Sequence, residues 1–124
     1  MNTVPHQGLL LCQDLMFVSK VTNAAIGLGL RIEATGDIAE GLKRVAGGGY
    51  QCVIVDLSLQ PLAISDLTSI LLGDPPPPVI AFGAHVDTVR LEEARLAGCR
   101  EVFPRSQFHA KLTEILRHYL GGKA

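Results

Sequence analysis

Two aspartates each follow an apolar run. Cys52-Val53-Ile54-Val55 leads into Asp56, and Leu9-Leu10-Leu11-Cys12 leads into Gln13-Asp14. Unbroken, β-branched runs suit strands covered on both faces, as in a parallel sheet. In open parallel sheets, ligands sit at the carboxyl ends of the strands. A carboxylate there is a nucleophile, a metal ligand, or a buried charge that needs a partner. Two such groups side by side resist shared ionisation unless a metal or a cation stands with them.

Other chemistry is poorly supported. His6, His85, His109 and His118 have no ligand-like spacing to one another. Cys12, Cys52 and Cys99 lack a CxxC spacing and sit in or beside apolar stretches, so they read as inert buried thiols. No Ser or Cys occupies a sharp, glycine-flanked elbow, so a catalytic triad is not expected. A flavin or nucleotide enzyme would need glycine and hydroxyl residues after the first strand. The loop here is Gln13-Asp14-Leu15-Met16, acidic and without glycine. Gly47-Gly48-Gly49 follows a helix instead of opening one, and reads as a connector and not as a phosphate cradle.

The elements that position these residues emerge from periodicity. Leu9–Cys12 reads as a strand. Leu15, Val18, Val21, Ala25 and Leu28 recur at three and four residues, the pattern of an amphipathic helix. Leu30–Ala34 is a weaker strand. Asp37 caps a second helix with the stripe Ile38, Leu42 and Val45. After the central strand and a loop over Ser58–Pro61, a third helix is expected from Ala63 to Leu72. Its inner face would be Ile64, Leu67 and Leu71, with Ile70 exposed. Pro75–Pro78 form a stiff elbow more readily than bait for an SH3-like groove. Val79–Gly83 is a fourth strand, and Asp87-Thr88 opens a helix closed by Gly98. Glu101–Phe103 is a fifth strand. Ser106 is expected to cap a last helix with the stripe Phe108, Leu112, Ile115, Leu116 and Tyr119, leaving Lys111 and Arg117 on its wetter side.

Strand then helix, five times, is an α/β pattern. It predicts a flavodoxin-like sandwich, a five-stranded parallel sheet in the order 2-1-3-4-5 with helices on both faces. That order brings Gln13-Asp14, Asp56 and Gly83-Ala84 together, with Arg105 arriving from the loop after the fifth strand. At 124 residues the chain is one domain. Its boundaries are a flexible tail over 1–7, the domain over 8–120, and a second tail over 121–124. Hydrophobic residues make up 48% and charged ones 19%, which argues against disorder. A net charge of −1 gives no pull toward nucleic acid or anionic membrane. No apolar run approaches a membrane span and no leader opens the chain, so the cytoplasm is the expected location.

Across roughly Gly8–Leu120 the chain resembles the receiver domain of bacterial two-component response regulators. The pieces that carry the likeness are VIVDLSLQP, VIAFGA after a proline, and AGCREVFPR before the last helix. The resemblance implies phosphoryl transfer from a histidine kinase to an aspartate, with Mg²⁺, and puts Asp56 at the acceptor position. It places Gln13 and Asp14 where the family holds its metal with two acids. A weak Mg²⁺ site from Asp14, Asp56 and the Ser58 carbonyl is the most that this set implies. Gly83 stands where the family has a hydroxyl, and Val102 where it has the switch aromatic. Phe103, one residue on, points to the opposite face of its strand. Arg105 replaces the family lysine and Ser106 the proline after it. Arginine grips a carboxylate bidentately and stays charged, so a pair between Arg105 and Asp56 is expected to hold one state without phosphate. His85, in the loop above, is expected to be solvated.

These departures predict a stand-alone, receiver-like interaction module that is not an enzyme and is not switched by ordinary aspartyl phosphorylation. Its cofactor is none, or weakly bound Mg²⁺. The alternative is a single-domain response regulator that accepts phosphate on Asp56. No output segment follows the last helix, so output would come from another protein, a kinase or downstream target, or from self-association. The candidate faces are the fourth helix, fifth strand and fifth helix, or the third helix. Between Val45 and Val89 there is no Lys or Arg while Asp66, Asp74 and Asp87 remain, so that side suits a basic or apolar partner.

Overall fold

The strand Cys52–Asp56 (β3) lies at the centre of the sheet, and all five of its residues are buried. The structure, a computed structural model, describes residues 7–59 and 62–121. The expected tails before Gln7 and after Gly121, with His6, and the loop positions Gln60 and Pro61, lie outside the described residues.

In chain order the remaining elements are β1 (Gln7–Leu11), α1 (Leu15–Gly27), β2 (Arg31–Thr35), α2 (Ile38–Gly47), α3 (Ile64–Thr68), β4 (Val79–Gly83), α4 (Thr88–Leu96), β5 (Glu101–Pro104), α5 (Arg105–Ala110) and α6 (Leu112–Leu120). The strands are all parallel and run β2-β1-β3-β4-β5, the predicted order.

Side chains alternate across a strand, so the sheet divides its apolar residues between two cores. Leu10, Cys12, Ile54, Ile80, Phe82 and Phe103 pack under α1, α5 and α6. Leu9, Leu11, Val53, Val55, Val79 and Ala81 pack under α2, α3 and α4. Asp56 shares the parity of Cys52 and Ile54, so its carboxylate belongs to the α1–α5 side. α2 lies so close to β1 that a Cβ on Gly41 would come within 2.6 Å of Leu11 Cδ2.

Several local expectations are corrected. β1 begins at Gln7, inside the stretch read as tail. In α1 the buried residues are Phe17, Val21 and Ala25, whereas Leu15 is 80% exposed. Leu15 and Met16, in the first turn of α1, are both exposed, and Phe17 takes the inward place. α3 is one short helix of five residues, not the longer one expected. Its Ser and Thr hydroxyls turn back onto local carbonyls, Ser69 Oγ to Asp66 O at 3.1 Å and Thr68 Oγ1 to Ser65 O at 3.4 Å. Such bonds compete with helix continuation. Ile70 is half-buried against the core and Leu72 is the exposed residue, at 55%. Ser106 does not cap the last helix. α5 starts two residues earlier than that cap would place it, with Pro104 at the cap position and no side-chain cap. The helix then breaks at Lys111, but bonds from Lys111 N to Gln107 O and Ile115 N to Lys111 O run across the break. The stripe from Phe108 to Leu116 therefore stays on one line and is buried.

Candidate functional site

Asp56 ends β3 and is 2% exposed, the one buried charged residue among the described residues. A carboxylate so placed is tolerated when donors surround it. Here four do. Ser58 gives its backbone N–H at 2.9 Å and its hydroxyl at 2.8 Å, both to Oδ1. Arg105 donates Nη2–H to the same oxygen at 2.9 Å. The Cys12 thiol faces Oδ2 at 3.4 Å.

Arg105 is itself held. It opens α5 directly after β5, and its guanidinium carbon lies 5.1 Å from the Phe82 ring centroid and 5.5 Å from that of Phe17. Its Nη1 is buried with no hydrogen-bond partner. The rings beside it explain how that is tolerated, because a guanidinium is attracted to an aromatic face and is more weakly hydrated than an ammonium. Phe82 stacks on Phe108 at 4.6 Å and meets Phe17 at 4.9 Å. An aromatic floor thus fixes the arginine, and the arginine and Ser58 fix the aspartate.

The other residues expected at the site fall as follows. Asp14 is exposed and caps α1, with Oδ1 accepting from Met16 N at 3.1 Å and Phe17 N at 3.2 Å. Gln13 is turned toward Gly36, whose carbonyl accepts from its Nε2 at 2.9 Å. Gly83 ends β4 and Ala84 follows it, exposed. Val102 packs in the α2–α4 core and Phe103 in the other, on opposite faces as expected. His85 is exposed and lines a shallow cleft of about 530 Å³ with Phe17, Ala84, Arg105, Ser106 and His109. His109, on the wall of that cleft, has its Nε2 3.1 Å from Lys20 Nζ.

These donors do not fit a resident Mg²⁺. A hard dication needs free oxygen ligands, and Oδ1 of Asp56 already accepts three donors, one of them a cation. Gln13 spends its Nε2 on the Gly36 carbonyl, and Asp14 spends Oδ1 on the first turn of α1. Among the described residues no three of His, Cys, Asp and Glu gather as a metal cage.

Three site residues escaped sequence reasoning: Cys12, Phe17 and Phe82. Parity was the available signal, since Cys12 and Phe82 share the face of Asp56 in the adjacent strands. The Cys12 thiol is pushed up to about 12 by burial, with the Asp56 charge adding to the shift. Burial likewise raises Cys52 to about 12 and Cys99 to about 11. All three cysteines are free. Thiols of this kind are donors and filling, not nucleophiles.

Gly83 has a steric reason. A Cβ there would lie 3.3 Å from Leu57 Cβ and 3.6 Å from Leu91 Cδ2. The space for a hydroxyl-bearing side chain is narrowed by apolar neighbours. Gly83→Ser is therefore expected to destabilise the fold by about 1 kcal/mol, through overpacking. A urea titration reads this directly. Unchanged or raised stability would show that the hydroxyl position is still open.

No family model matches the sequence, and no curated protein matches it. Solved structures do. A response regulator from Hahella chejuensis superposes with a TM-score of 0.80 at 16% identity, over 95% of this chain and 97% of the other. The receiver domain of a sensor histidine kinase from Pseudomonas aeruginosa, solved with magnesium coordinated in its active-site cleft, gives 0.78 at 19% identity, over 95% and 99%. An atypical orphan response regulator with a phosphorylation-independent regulatory mechanism gives 0.74 at 13%, over 95% and 98%. At these identities the likeness establishes the receiver fold. Among the described residues, no helix is long and apolar enough to cross a membrane.

Proposed function

We propose that this chain is a receiver-like signalling module that acts by binding another protein and is held in one state by Arg105 instead of being switched by aspartyl phosphorylation. The observation that carries this reading is the engagement of Asp56, whose Oδ1 accepts from Ser58 and Arg105 while Oδ2 faces the Cys12 thiol. A nucleophilic carboxylate needs a free lone pair aimed at the phosphorus and neutralisation of the incoming charge. Here Oδ1 is occupied, and the cation is already paired. The family hydroxyl and switch aromatic, absent at Gly83 and Val102, would have carried the news of phosphorylation outward. The atypical orphan neighbour gives this mode a precedent on the same fold.

No catalytic role is assigned, and no resident metal. The three free thiols suit a reducing compartment, so a cytoplasmic setting accompanies the proposal. The partner is a kinase, a downstream target or a second copy, received either at the face of α4, β5 and α5–α6 or at the α3–α4 side.

Incubation with Mg²⁺ and a small phosphodonor, followed by intact mass, tests the reading. The expected result is an unmodified chain under conditions that label an ordinary receiver. A gain of one phosphoryl group, mapped to Asp56, would favour the alternative of a working phospho-acceptor.

A further inference from the structure

Along α4, Val89, Glu93 and Leu96 fall on one stripe, at spacings of four and three residues. Val89 is 67% exposed, Leu96 is 80% exposed, and Glu93 is also exposed. Beside this stripe a groove of about 560 Å³ separates α4 from the start of α3, with Leu57, Leu62, Ile64 and Ala97 among its apolar walls. It lies open along a helix of only five residues.

The charges around the groove do not balance. Arg90, on its rim, is committed inward. Its Nη1 donates to Leu57 O at 2.6 Å and its Nε pairs with Asp87 at 3.4 Å. Arg95 pairs with Glu92 at 3.2 Å. Among the described residues, Glu93 and Asp66 pair with no cation. What faces outward is one carboxylate set between two large apolar groups.

We infer that the α3–α4 groove and the Val89–Glu93–Leu96 stripe form a docking site for an amphipathic helix of another protein, one carrying Lys or Arg between two apolar residues. Seven residues of helix span about 10 Å. A partner helix lying alongside would match Val89 and Leu96 with apolar residues seven apart and Glu93 with a cation three or four along. A second copy fits less well. Two-fold pairing of this stripe with itself would set Glu93 against Glu93. The inference rests on the interaction-module reading and names the surface and the partner's chemistry.

The probes are two synthetic helices on an alanine background, one with Leu and Lys and one with Leu and Glu in their place. Each is titrated into the full chain, labelled with ¹⁵N. The Leu–Lys helix should bind, with shifts confined to α3, α4 and the loop before α3. Glu93→Lys should weaken it about tenfold and admit the Leu–Glu helix instead. Leu96→Ser should weaken both. These positions are exposed, so the fold is retained. Binding that maps to another face, affinity indifferent to Glu93→Lys, no binding at all, or self-association abolished by Leu96→Ser would each overturn the inference. None of those results would touch the unphosphorylated reading, which the phosphodonor experiment decides separately.

Discussion

Arg105→Ala is expected to lower stability by about 2–3 kcal/mol, because it leaves the Asp56 charge buried without its cation. The pair is unequal in exposure: the Asp56 side chain is 4% exposed and that of Arg105 34%. Water can reach the arginine, which keeps the loss at or below the low end of the range for buried pairs. The backbone and hydroxyl of Ser58 and the Cys12 thiol remain, but none of them carries charge. Removing the charge should rescue the variant. Asp56→Asn added to Arg105→Ala is expected to recover more than half of the loss, since an amide accepts from Ser58 without requiring a counter-charge. Arg105→Lys should fall between, keeping the charge but losing the planar contact with Phe17 and Phe82. Urea unfolding of the parent, Arg105→Ala, Asp56→Asn and their double variant gives the coupling energy. A midpoint for Arg105→Ala equal to that of the parent would mean the pair contributes nothing.

Phe82→Ala should cost more, about 4 kcal/mol, as the removal of a large, fully buried ring from a packed core. Phe82 is 0% exposed, stacks on Phe108, meets Phe17 and underlies the guanidinium of Arg105. Its loss opens a cavity at the one place where core and site share a wall. Phe82→Leu retains most of the volume and should cost about 1–1.5 kcal/mol. Measuring both by urea unfolding, alone and with Arg105→Ala, separates packing from positioning. If Phe82 positions Arg105, Phe82→Leu should destabilise the parent more than it destabilises the Arg105→Ala chain. Equal effects in the two backgrounds would assign Phe82 to packing only.

The fold was legible because its signal is long-range and repetitive. Five apolar runs alternating with helical stripes admit few arrangements, and Asp56, Gly83 and Arg105 each fall at a strand end that the topology brings together. What escaped was decided by packing in three dimensions. Leu15 and Phe17 differ by two residues at the start of α1, and periodicity alone does not say which of them meets the core. α3 stops after Thr68 because local hydroxyl bonds outcompete a stripe that periodicity alone would extend. Ser106 has the right type for a cap, but the chain enters the helix at Arg105, which draws that side chain over Asp56.

The partners of Asp56 show the same division. The retained cation at Arg105 was readable as charge chemistry. The thiol of Cys12 was not, because a cysteine in an apolar run looks like filling. Its neighbour across the sheet appears only once β1 and β3 are in register, with Leu11 opposite Val55. Gly83 likewise reads in sequence as a lost hydroxyl, whereas the structure adds Leu57 and Leu91 crowding that position.

The most direct measurement is an amide spectrum of the ¹⁵N-labelled full chain, recorded while Mg²⁺ and beryllium fluoride, a mimic of the phosphoryl group, are added together. With Asp56 held by Arg105 and Ser58, the resonances of Asp56, Ser58, Arg105 and Val102 should stay where they are. Saturable shifts that begin at Asp56 and spread to Val102 and α4 would contradict the locked state.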